Sequence, residues 1–584
     1  MTIDRRRFVA AALAGLGAAA TLDARNGNST AEATTHVSRS AQEWTIPRPM
    51  FWSFENRDPR IAMAGYTFSF QIFTIGPDEN TYSLDAKSCS TKQNGDRWLL
   101  DAAQLSWPGQ QGIAPGSLHV EVVQNGDTVL VQATASAPSP IHAIKIVLHG
   151  LPPGAAAQTG WQVTPEFEPV TSRAVLYSYP RYTGGMPLWF LGRPDAGIAF
   201  SSLDTTIVAK RFCAVLREDG IQVQLIVEPE AREIGTRFAA PAWEIQRNTS
   251  LTQAIESRCQ RLETGTGLQP WTIRKDVAPW VRKITLVVTL HGMHWSGFVF
   301  NDYARMLETV EWVTGRIPGE RVLFFLAGWE GRYYRCYGDS KPNDQMGGAD
   351  GLRQLVQGIH ATGAHVMAMF AGNAAGPSTP GLDQLMKTSV FHGLPGSLDY
   401  SLMRGYQVDW AEIRAAAGSG GAWLNPGAPG WRDHLIQQVG ALNEQFQFDG
   451  NFFDTQPNTA NDFLNNPLEG LRKLADALRS RRSELLLATE SWFDLSLGII
   501  PCSQTLDGPM NWSQRYQRRF AHLSLGEPSR GSTGVHEVGY VDYDLRDLLE
   551  TFDWPTLSIV DGTIAAAPEN AMAVITAANA LHSE

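Results

Sequence analysis

Phe448-Asp449-Gly450-Asn451-Phe452-Phe453-Asp454 is a short, mostly apolar run that stops at a carboxylate. It reads as a buried strand with an acid at its C-terminal end. A second run, Leu485-Leu486-Leu487-Ala488-Thr489, stops the same way at Glu490. Between them Leu468, Leu471, Leu474 and Leu478 recur at helical spacing, which predicts a helix over 468–478. Strand, helix and strand make one βαβ unit of a parallel sheet, and in a parallel barrel the strand C-termini share one mouth. Both acids are therefore expected at that mouth.

The same alternation extends on both sides of this unit. Ile284–Leu290 is apolar throughout, as a parallel strand covered on both faces should be. A helical stretch at Tyr303–Val313, a strand at Val322–Leu326, a helix within Gly348–Gly363 and a strand at His365–Phe370 follow. After a long loop, Pro429-Gly430-Trp431 opens the next helix, with proline near its first turn. Weaker strands are expected near Gln504–Leu506 and His522–Leu525, and a better one at Thr556–Val560. Eight strands interleaved with helices over residues 280–584 predict a (β/α)8 TIM barrel.

Residues 45–275 follow another rule, with short alternating strands between turns and few stretches of helical period. Leu118–Val123 and Thr128–Gln132 flank Asn125-Gly126, a strong hairpin signal, and Ile141–Leu148 alternates again. The fold expected is thus multidomain, an N-terminal antiparallel β-sandwich followed by the barrel. Ahead of it, Asp4-Arg5-Arg6-Arg7-Phe8-Val9 and the weakly apolar Val9–Ala20 resemble a twin-arginine signal peptide, assigned to residues 1–24. Residues 25–44, mostly Ser, Thr, Asn and Ala, read as a linker. The expected location is periplasmic or secreted, and no integral membrane segment is expected in the mature form.

A chain of 584 residues exceeds what one core supports, and 43% hydrophobic with 18% charged residues is ordinary globular composition. A net charge of −11 argues against a nucleic-acid partner. Cys89, Cys213, Cys259, Cys336 and Cys502 are scattered, without disulfide-framework or zinc-ligand spacing. No cofactor or metal is called for. His291 and His294 lie three apart but lack further ligands, and the spacing of Asp339, Asn343, Asp344 and Asp350 does not fit a calcium loop.

Two strand-end carboxyls in one mouth suit cleavage of a glycosidic bond, where one protonates the leaving oxygen and the other stabilises or traps the oxocarbenium-like carbon. Asp454 is assigned as nucleophile and Glu490 as general acid/base, the expectation being a retaining glycoside hydrolase, although acids on neighbouring strands are compatible with retention or inversion. Asp449, at the start of its strand and on the opposite face, is expected to be structural.

This pattern, an Asp ending strand four and a Glu ending strand five, resembles the α-acting barrel glycosidases. That group includes the α-amylase clan, the α-galactosidases and endo-α-N-acetylgalactosaminidase-like enzymes. Phe448–Asp454 is similar to the strand that carries their nucleophile, and Trp423-Leu424-Asn425-Pro426 with Trp431 is similar to the stretch leading into it. The resemblance implies an α-linked oligo- or polysaccharide as substrate. The Asn-Glu pair usual at strand four of β-acting barrels is missing.

Other strand ends offer substrate-binding candidates: His294 and Trp295 after strand one, Trp329 and Glu330 after strand two, Asn425 before the helix leading into strand four, Trp492 beside Glu490, and Asp561 after strand eight. Glu330 is also a rival catalytic acid by the same strand-end logic. The competing functions are a non-catalytic carbohydrate-binding protein, a transglycosylase using the same pair, and a metal-dependent hydrolase around His291 and His294. Oligomeric state is not legible.

Overall fold

The structure, a computed structural model, describes residues 57–75, 80–159, 167–180, 185–293, 297–331, 333–392, 421–455, 461–490, 492–505, 522–525, 554–559, 563–566 and 568–581. The twin-arginine-like segment and the linker, along with His294, Trp295, Ser491 and Asp561, lie outside the described residues.

The N-terminal half contains two antiparallel sheets, of nine and ten strands. The hairpin at Asn125-Gly126 forms with Ser117–Asn125 and Thr128–Ser136 as its arms, and Gly126 takes the positive φ such a tight turn requires. Leu118, Val120 and Val122 of this ten-stranded sheet share one buried cluster with Phe68, Phe70, Ile144 and Ile146 of the nine-stranded one. The other face of the nine-stranded sheet is polar yet also buried, with Gln71 and Lys145 both at 0% exposure.

One element departs from the all-β expectation for this half. Leu251–Thr266 is a helix, here α1. Its N-terminus carries a full capping box, Ser250 Oγ accepting from Gln253 N and Gln253 Oε1 accepting from Ser250 N, and Gly267 ends it in the left-handed conformation.

The C-terminal half is an eight-stranded parallel sheet. Its strands are β1 Leu286–His291, β2 Val322–Ala327, β3 His365–Ala371, β4 Gly450–Asp454, β5 Leu486–Thr489, β6 Cys502–Thr505, β7 His522–Leu525 and β8 Thr556–Ile559. All eight fall where the sequence pattern puts them, within a few residues. The spatial order runs β7-β6-β5-β4-β3-β2-β1-β8, so the last strand lies beside the first. Asn301 reinforces that junction, donating from Nδ2 to the carbonyls of His291 and Ile559.

The helices between strands include α2 Tyr303–Thr314, α3 Gly348–Ala361, α4 Pro429–Phe446 and α5 Pro467–Arg481. Proline opens both α4 and α5, and Asn466 caps α5 by accepting from Glu469 N. Leu471, Leu474 and Leu478 of α5 are buried as their spacing requires, each contributing roughly 1.5–3 kcal/mol. Asp449 sits just before β4, where it accepts from Val366 N, His360 Nε2 and Arg482 Nη2. Against the opposing cost of burial, His360, His365 and the Val366 backbone hold its carboxyl far below the usual carboxylate range. Among the described residues no helix is long and apolar enough to cross a membrane.

Candidate active site

Strand register puts the two acids side by side. In the β4–β5 ladder Phe453 faces Thr489, so the next residues, Asp454 and Glu490, leave the sheet at the same height. Glu490 N donates to Phe453 O at 3.3 Å, carrying the ladder one step past the strand end. Asp454 also faces Ala371, the last residue of β3, so the C-terminal ends of three neighbouring strands are level.

The chain turns sharply beyond Asp454. Thr455 has φ 65, a left-handed conformation that costs a β-branched residue about 1–3 kcal/mol. Hydrogen bonds hold it there. Thr455 N donates to Glu490 Oε2 at 2.9 Å, and its Oγ1 accepts from Asn373 N at 3.1 Å. The strained turn thus aims a backbone N–H at one acid while leaving the other at the strand end.

Asp454 is 2% exposed. Its Oδ2 accepts a short hydrogen bond from the hydroxyl of Tyr337, whereas Oδ1 has no protein partner among the described residues. Burial raises the carboxyl to about 6, although Tyr337 and the Thr455 backbone both oppose the rise. Glu490 is pushed well above its ordinary value, first by burial and then by the charge of Asp454, with the Thr455 backbone opposing. The environments therefore separate the pair, Asp454 ionising first and Glu490 keeping its proton.

A third carboxyl faces the same charge. Glu330, three residues past the end of β2, is 2% exposed and neither of its oxygens has a hydrogen-bond partner among the described residues. Burial, helped by the charge of Asp454 and opposed by its own backbone N–H, raises it to about 8. The backbone carrying Glu330 is fixed by its neighbour: Trp329 O accepts from Tyr303 Oη at 2.7 Å, and Trp329 Nε1 donates to Met369 O at 2.8 Å.

Three expected substrate contacts turn out to be packing residues. Trp329 is fully buried and packs on Phe370 and Phe448, so it offers no stacking platform. Trp492 leaves the mouth and enters the sandwich core, its ring so close to Gly185 that an added Cβ there would lie 2.8 Å from it. Asn425 is buried with its amide committed. Nδ2 donates to Asp462 Oδ2 and Asn465 O, and Oδ1 accepts from Gly427 N, which locks the loops around α4 and α5.

Two residues of this site escaped the sequence reading. Tyr337 had as its only signal a position ten residues past a strand end. Thr455 had none, because a threonine following an aspartate does not announce a positive φ. His291 is buried at the end of β1. Among the described residues no group of three His, Cys, Asp or Glu side chains could hold a metal ion. The acidic loop is dispersed into local contacts, Asp339 with Lys341 and Asp350 with Arg353.

The loop following Glu490 ties the site to the sandwich. Asp494 is fully buried, and its Oδ2 accepts from Arg258 Nε and Nη2 of α1 at 2.9 and 2.6 Å. Its Oδ1 accepts from Tyr179 Oη and Leu495 N. Phe493, Leu495 and Leu497 join Trp492 in the sandwich core.

No known family profile matches the chain, and no curated protein matches it by sequence. Among solved structures it is similar to the ligand-free α-N-acetylgalactosaminidase NagBb from Bifidobacterium bifidum, with a TM-score of 0.57 at 12% identity over 90% of this chain and 93% of that one. The GalNAc complex of NagBb aligns over 76% and 79% of the two chains, with TM-score 0.54 and 12% identity. The GH36 α-galactosidase AgaA from Geobacillus stearothermophilus aligns over 88% and 73%, with TM-score 0.48 and 12% identity. At these identities the likeness is one of fold.

Proposed function

We propose that this protein is an exported hydrolase of α-linked glycans, with Asp454 as nucleophile and Glu490 as general acid/base. The observation that carries the reading is the pair itself: two carboxyls at level ends of neighbouring parallel strands, Asp454 buried and Glu490 half-buried, one ionising near 6 and the other pushed well above its ordinary value by burial and by the charge of the first. Glu490 gives its proton to the glycosidic oxygen, and the Asp454 carboxylate bonds the anomeric carbon. Water then completes the cycle, with Glu490 acting as base. The parallel sheet, whose last strand neighbours its first, supports closure into a (β/α)8 barrel, and Asp4–Val9 supports export.

The neighbour's name makes α-N-acetylgalactosaminides the first substrates to try. The test is hydrolysis of 4-nitrophenyl α-N-acetylgalactosaminide, α-galactoside and α-glucoside, with their β-anomers as controls, by the protein and its Asp454→Asn and Glu490→Gln variants. One α-glycoside should be cleaved; Asp454→Asn should lose at least about a thousandfold in kcat/KM on it, and Glu490→Gln should lose chiefly in kcat, because its deglycosylation step lacks a base. Full activity in either variant would overturn the assignment.

A further inference from the structure

Asp454 is held asymmetrically. Tyr337, which holds it, is fully buried. Its carbonyl accepts from Gly376 N at 2.7 Å and Thr379 Oγ1 at 2.6 Å, so the loop after β3 clamps the residue that reaches Asp454 from the loop after β2. Among the described residues one carboxylate oxygen thus carries a donor and the other is bare. A buried acceptor without a partner costs free energy, so its persistence at a strand end points to a partner supplied by the reaction.

We propose that Tyr337 is a positioning residue that makes the two oxygens of Asp454 unequal, pinning Oδ2 so that Oδ1 is the atom that bonds the anomeric carbon. The proposal rests on the reading of Asp454 as nucleophile. An Oδ1 lone pair forms the new C–O bond as the bond to the leaving oxygen breaks, and the proton of Glu490 passes to that oxygen. In the second half water adds to the anomeric carbon, its proton goes to Glu490, and the bond to Oδ1 breaks to restore the carboxylate. Throughout, the Tyr337 hydroxyl stays on Oδ2. It stabilises the ionised form before attack and fixes the plane of the ester formed.

Among the described residues neither Glu330 nor Glu490 hydrogen-bonds to Asp454 Oδ1, and the Thr455 backbone is the one group besides Tyr337 that favours the ionised form of Asp454. Removing the Tyr337 hydroxyl should therefore move the acid limb of kcat/KM, not merely scale the rate.

The test is the pH dependence of kcat/KM for Tyr337→Phe, measured on the α-glycoside that the protein cleaves, alongside its thermal melt. The acid limb should rise by about one to two pH units. Replacing Tyr337 with 3-fluorotyrosine, a stronger donor of nearly the same shape, should move the limb down and covers the case in which Tyr337→Phe folds poorly. An unmoved acid limb in a folded variant of either kind would overturn the proposal while leaving Asp454 as nucleophile. If Asp454→Asn itself keeps activity, the underlying reading fails instead, and the two failures are distinguishable.

Discussion

A carboxyl group sealed from water opposes folding once it is ionised, and Glu330 is 2% exposed with no hydrogen bond to another residue among the described residues. Its folded-state value of about 8 lies above the 4.5 of an ordinary glutamate, so the unfolded chain ionises first. Stability is therefore fully present below about 4.5 and is lost as pH rises to about 8, by roughly 4–5 kcal/mol for this group. Urea unfolding of Glu330→Gln at pH 5 and pH 8 should show the variant gaining on the parent at the higher pH (about 8, where the group ionises). Equal offsets at both would contradict this account. The residue scale also shows what a sequence encodes and what it does not. Asp454 and Glu490 were legible because an apolar run ending at a carboxylate marks where a buried strand meets the mouth. The direction of a side chain beyond the strand end is not marked. Trp329, Trp492 and Asn425 stand at the expected loops, yet each turns into packing or loop hydrogen bonds that only the assembled neighbours define.

At the scale of elements, α1 was present in the sequence but was read through. The Ser250–Gln253 capping box, the stripe Leu251, Ala254, Ile255, Cys259, Leu262 and the terminal Gly267 are all helix signals. Arg258 interrupts that stripe on the buried face, and the surrounding β pattern did the rest. Its charge makes sense only once Asp494, from the loop after β5, is placed against it. The pair is fully buried, with 1% and 0% side-chain exposure. Removing one partner strands the other charge, so Arg258→Ala should lower unfolding free energy by about 3–5 kcal/mol. Because the same loop begins at Glu490, that variant should also lose kcat when assayed below its melting temperature. Chemical denaturation and initial rates measure the two effects, and an unchanged kcat would show that α1 stabilises the loop without positioning the acid.

Across the whole molecule, the two halves share packing. The sandwich core includes Trp492, Phe493, Leu495 and Leu497 from the parallel-sheet half, so the loop that carries Glu490 is folded partly by the other domain. The antiparallel sheets of the first half and the parallel strands of the second were readable from their periodicities, because each depends on local pattern. Their junction was not readable, since Arg258 and Asp494 lie far apart in the chain and no local rule links them. The central claim is that this protein divides one reaction between Asp454 and Glu490. It is tested most directly with an α-glycosyl fluoride of the sugar the protein cleaves, whose leaving group needs no proton. The account predicts that Glu490→Gln still releases fluoride in a burst and then stalls until azide is added, whereas Asp454→Asn releases none. Fluoride release by Asp454→Asn at the parent's rate, or no burst and no azide response from a folded Glu490→Gln, would contradict it.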